Sequence, residues 1–115
     1  MKYMMAIYET EADFGARTNE HKAAFWGAWG AYHQALVQAG VIVGGNALQP
    51  PATGTTVRVS SGKRHVEDGP YADTKEQLGG FIVLEVDSRD AALDWAARCP
   101  AAATGAVEVR PILTM

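Results

Sequence analysis

Two periods of apolar spacing divide the chain into strands and helices. Lys2–Tyr8 is short, apolar and closed by the polar run "ETEAD", which predicts a buried strand. Between Asn19 and Ala39 the spacing lengthens: Phe25, Trp29, Tyr32 and Leu36 fall at i, i+4, i+7 and i+11, one stripe of a helix. Asn19 is placed to cap it, Glu20 to sit in its first turn and Gly40 to stop it. "VIVGGNAL" (41–48) reads as a strand interrupted at Gly44–Gly45, the mark of a bulge or a close backbone approach. Pro50–Pro51 requires a loop. "TTVRVS" (55–60) alternates, and "SGK" turns it into Arg64–Glu67 as a polar hairpin. "GFIVLEV" (80–86) is the most apolar strand and is expected at the centre of the sheet. Ser88 opens a second helix carrying Ala92, Trp95, Ala96 and Cys99 on one stripe, Pro100 ends it, and "AVEVRPI" (106–112) is the last strand.

With the hairpin set aside, the order is βαββαβ, the split-βαβ or ferredoxin-like α+β pattern, in a single domain spanning 1–115. Two helices cover one face of such a sheet and leave the other open. Each large apolar side chain left in water forgoes about 1.5–3 kcal/mol of burial, so a homodimer pairing the open faces is expected.

Composition narrows the function classes. Ten basic against thirteen acidic side chains give a net charge of −3, which argues against nucleic acid and anionic membrane as partners. No run of about 18 apolar residues is present for a membrane span, and the N-terminus lacks the pattern of a signal peptide. The single cysteine, Cys99, fits a reducing cytoplasm and a place in the core. No ligand spacing for a metal and no phosphate-loop or nucleophile-elbow motif occurs, so neither metal nor cofactor is expected.

The densest chemistry lies in "DGPYADTKEQLGGF" (68–81). Asp73-x-x-Glu76 and Thr74-x-x-Gln77 fit capping-box spacings and predict one helical turn over 74–78, with Gly79 or Gly80 stopping it at positive φ. Turn chemistry alone accounts for the glycines, Pro70 and a backbone-bonded Asp68. The functional reading adds a cleft at the sheet edge faced by Asp68, with Tyr71, Lys75, Glu76 and Gln77 as ligand contacts. His33 lies about 80° from the centre of the helical stripe, where a side chain can reach a pocket between helix and sheet and where an ordinary surface histidine also sits. Asp68 and His33 are therefore the candidate acid–base residues. His21 and His65 read as solvated, and Trp26, Trp29 and Trp95 as helix–sheet core.

"KYMMAIYE", "GVIVGGNALQPPATGTTVRV", "DGPYADTKEQLGGFIVLEVDSRDAALDWAARCP" and "GAVEVRPI" together resemble the DGPF-domain proteins, within the YCII-related group of the dimeric α/β-barrel superfamily. The resemblance covers nearly the whole chain, and Tyr71 stands where the motif has its phenylalanine. It implies a ferredoxin-like chain paired as a dimeric α/β barrel. Some relatives look like acid–base enzymes built on a His–Asp pair, including lactone dehalogenases. Many others look like neighbours or fusion partners of ECF sigma factors.

Two functions follow. The first is a non-catalytic module that binds a small ligand or a partner, with an ECF sigma-factor system as the partner the resemblance implies. The alternative is an acid–base enzyme of isomerase, lyase or lactone dehalogenase type, acting on a small organic acid or lactone. Asp68 and His33 facing one pocket is the feature that separates them.

Overall fold

The computed structural model describes residues 1–115. β1 (Lys2–Glu9) is the spine of a four-stranded sheet, flanked by β5 (Gln77–Glu85) on one side and β6 (Ala106–Pro111) on the other. β2 (Ile42–Ala47) pairs with the outer edge of β5, giving the order β2-β5-β1-β6 with every pair antiparallel. β3 (Thr55–Ser60) and β4 (Lys63–Asp68) form a separate hairpin. Its turn has Ser61 and Gly62 both at positive φ, the geometry that matches strand twist in a two-residue loop. This is the βαββαβ arrangement with an inserted hairpin that the apolar periods predict, and β5 is an inner strand as expected.

The pleat sorts β1 into two faces. Tyr3, Met5 and Ile7 point at the helices and join Leu84 of β5 in the core, where Met5 and Leu84 are completely enclosed. Burial of each such side chain stabilises the fold by about 1.5–3 kcal/mol. The covering helices are α2 (Lys22–Ala39), through Tyr32 and Leu36, and α3 (Arg89–Arg98), through Ala92 and Ala96. The Tyr32 hydroxyl donates to the Trp95 carbonyl at 2.7 Å, joining the two helices, and burial pushes its phenol well above the usual range. Ser88 caps α3 by accepting from the Ala91 amide, and Gly40 ends α2 in the left-handed region, both as the sequence predicts.

Four features differ from the sequence reading. A helix not anticipated there, α1 (Glu11–Ala16), follows β1 directly, held by a capping box between Thr10 and Asp13. α2 begins at Lys22, because the Asn19 side chain accepts from the His21 amide and closes a turn ahead of the helix. A short α4 (Ala101–Thr104) follows Pro100. Finally, no helical turn forms over 74–78. β5 starts at Gln77, and Glu9 and Tyr8 of β1 pair with Gln77 and Leu78. Gly79 and Gly80 accordingly lie within a strand, and neither has positive φ.

Candidate functional site

Glu9 continues the core-facing row of β1 beyond Ile7 and is 3% exposed. A carboxylate there needs space and a partner, and the next residues supply both. Opposite it, the β1–β5 register slips between Ile7–Gly80 and Tyr8–Leu78, leaving Gly79 as the extra residue of a bulge. A Cβ at Gly79 would collide with Glu9 Oε1, so the missing side chain is the room the carboxylate occupies. The capped turn of α1 then brings Arg17 back over Glu9, with Arg17 Nη2 donating to Glu9 Oε1 at 3.0 Å. Arg17 also donates to the Gly79 carbonyl at 3.1 Å and to the Leu48 carbonyl, joining the ends of β5 and β2. Its Nε is closed off and has no acceptor. The Trp26 indole donates to the Arg17 carbonyl at 3.0 Å and ties the start of α2 to the same point.

The pair forms part of the wall of a cavity of about 460 Å³ between α2 and the β2–β5 edge of the sheet. Phe25, Trp26 and Trp29 give it an aromatic side, and His33 and Asn46 are further polar members of the wall. The volume is that of a small-molecule site. Desolvation raises the Glu9 carboxyl above its ordinary value, Arg17 pulls it part of the way back by hydrogen bond and charge, and Asp13 adds a smaller upward push. A buried carboxyl so perturbed inside a cavity has the environment of a proton-transfer group.

His33 is exposed on α2 and lines this cavity. Asp68 does not. It ends β4, exposed and paired across the hairpin with Thr55, so the structure does not bring Asp68 and His33 together within one chain. Tyr71, Glu76 and Gln77 line a different hollow of about 550 Å³ at the base of the hairpin, and Tyr71 is 74% exposed with the Arg58 guanidinium 5.1 Å from its ring centre. Gln77 folds this loop, its amide donating to the carbonyls of Ala72 at 2.7 Å and Thr74 at 3.0 Å. Lys75 lies on an adjoining open hollow with Glu76 and Gln77. Trp29 and Trp95 pack against the core as expected, Trp29 also lining the α2 cavity, whereas Trp26 is exposed and only lines the cavity.

Glu9 and Arg17 are not among the candidate residues named from the sequence, and Gly79 is expected there only as the stop of a turn. Glu9 carried a signal: Tyr3, Met5, Ile7 and Glu9 share one face by strand period, so an acid continues an apolar row. Arg17 had none, since its approach depends on the unanticipated α1.

A family model for the YCII-related domain matches residues 1–115. The chain belongs to the YCII-related family. Among curated proteins, this YCII-related chain is 36% identical over 114 residues to the uncharacterized protein R00369 of Rhizobium meliloti, a match covering 97% of this chain and 92% of that protein. Among solved structures it is similar to 5-chloro-2-hydroxyhydroquinone dehydrochlorinase (TftG) of Burkholderia phenoliruptrix, in complex with 2,5-dihydroxybenzoquinone. The TM-score is 0.57 at 17% identity, over 100% of this chain and 96% of that one, and the likeness is one of fold.

Proposed function

We propose that this YCII-related protein binds a small, flat organic molecule in the cavity between α2 and the sheet, and that Glu9 exchanges a proton with it. The observation that carries this reading is the Glu9–Arg17 pair, buried where the cavity meets the sheet and beside an aromatic wall. An ion pair withdrawn from water contributes little net stability, so its presence in a cavity calls for a reason other than holding the fold. In this reading the acid–base role passes from Asp68 to Glu9, with His33 as a second proton-carrying group and Trp26 and Trp29 as stacking faces, a division supported by their common place on the cavity wall. A fold likeness to a dehydrochlorinase is compatible with proton-transfer chemistry on this scaffold.

Amide and indole NMR spectra recorded against a panel of small flat molecules test the reading. Bound members are expected to shift the indoles of Trp26 and Trp29 and the amides of Gly79 and Gly80 together. Glu9→Gln should remain folded and reduce turnover of any substrate so found by about 100-fold or more. A panel in which no member moves those four signals overturns the proposal.

The open face of the sheet supports a second part of the reading. Met4 and Tyr8 of β1 and Phe81 and Val83 of β5 lie there, only partly covered. We infer that two copies pair through this face.

A further inference from the structure

Which oxygen of Glu9 is free determines what the cavity can hold. Oε1 is taken by Arg17 and pressed against Gly79. Oε2 takes no hydrogen bond within the protein and is not sealed off, and its side chain lines the cavity. The neighbouring cation is largely engaged: Nη1 serves the Leu48 carbonyl with one of its two N–H groups, Nη2 serves Glu9 and the Gly79 carbonyl, and Nε is closed off. An incoming anion would find at most one uncommitted N–H on Arg17, and a carboxylate oxygen in its path, a repulsion strengthened by the low local dielectric. A ligand that donates meets the opposite situation, because an ionised carboxylate accepts charge-assisted hydrogen bonds.

We propose that the ligand of this cavity is a flat, uncharged ring carrying a hydroxyl group, which it donates to Oε2 of Glu9 while its face lies against Trp26 and Trp29. Arg17 is a positioning residue in this arrangement: it fixes one carboxylate oxygen so that the other is presented. Transfer of the proton leaves a ring oxyanion and a neutral Glu9 carboxyl, with no further reactant required. The inference rests on the reading of the cavity given above and goes beyond it by excluding carboxylates and other anions as ligands.

Three flat probes separate the cases by titration calorimetry and indole NMR at pH 7: catechol, its dimethyl ether veratrole, and benzoate. Catechol is expected to bind at least tenfold more tightly than either of the others, and Glu9→Gln to reduce that preference to threefold or less. Arg17→Lys, which keeps the charge but not the three-way clamp, should weaken catechol binding while leaving veratrole unchanged. Benzoate binding as tightly as catechol, or catechol and veratrole binding equally, overturns this inference and leaves the cavity as a ligand site. If none of the three moves the Trp26 and Trp29 indoles, and no member of the wider panel does, both proposals fail together.

Discussion

At the scale of single residues, Glu9 is an acid whose surroundings oppose its own charge. Its folded carboxyl holds a proton more tightly than the 4.5 of the ordinary group, with desolvation the largest cause. The native state thus binds more protons than the unfolded chain between 4.5 and the raised value. The corresponding stability is fully present below 4.5 and is lost as pH rises through the folded value. Urea melts of the parent and Glu9→Gln from pH 4 to 8 isolate this, since the other acids and the three histidines are common to both. The parent's stability relative to the variant is expected to fall with rising pH across that window and then level off. A difference independent of pH would mean that Glu9 titrates as it does in water.

At the scale of elements, the bulge in β5 connects strand pairing to the site. Gly79→Ala places a Cβ where the Glu9 carboxylate lies, forcing the acid away from Arg17. Overpacking of that kind costs about 1–3 kcal/mol. Gly44→Ala is the control, because nothing lies within 4 Å of the Cβ it would add. Denaturant melts should show the loss at Gly79 alone, partly recovered when Glu9→Asp shortens the acid; equal losses at both glycines would contradict the packing argument. The elements also show what could be read from sequence. Strand order, the Gly44–Gly45 irregularity, the Ser88 cap and the Gly40 stop are set by local patterns that tertiary contacts reinforce. The expected turn over 74–78 fails because its capping spacings are only local, and pairing of Gln77 and Leu78 with β1 draws the segment into a strand. α1 escaped notice because six residues are too few to show a helical period. The site was legible only in part: the flank position of His33 follows from its angle on the helix, whereas the Glu9–Arg17 clamp depends on a return of the chain that no spacing announces.

At the scale of the whole molecule, one chain is broad and thin, 48 × 44 × 19 Å, with a radius of gyration of 15.8 Å. A compact domain of similar length has a radius near 13 Å. The excess fits a sheet with helices on one side only and a hairpin projecting with Val57, Val59 and Val66 exposed. A two-stranded hairpin is marginal in water by itself. A second copy laid on the open face would thicken the slab and cover its apolar side chains. Sedimentation equilibrium at tens of micromolar is expected to give about twice the chain mass of 12.3 kDa. A single species of one chain mass would overturn the inferred pairing.

The contact between Glu9, Arg17 and Gly79 also has a consequence for descent. Gly79 lies far from Glu9 and Arg17 in the gene, yet a change at any one of the three disturbs the other two. A side chain at Gly79 evicts the acid, loss of the acid leaves the partly buried guanidinium with carbonyl partners alone, and loss of the guanidinium strands the acid. Single steps away from the trio pass through a weakened protein, so lineages should inherit all three together or replace all three. Their joint presence or absence is a mark by which branches of the family that carry this cavity can be told from branches that have lost it.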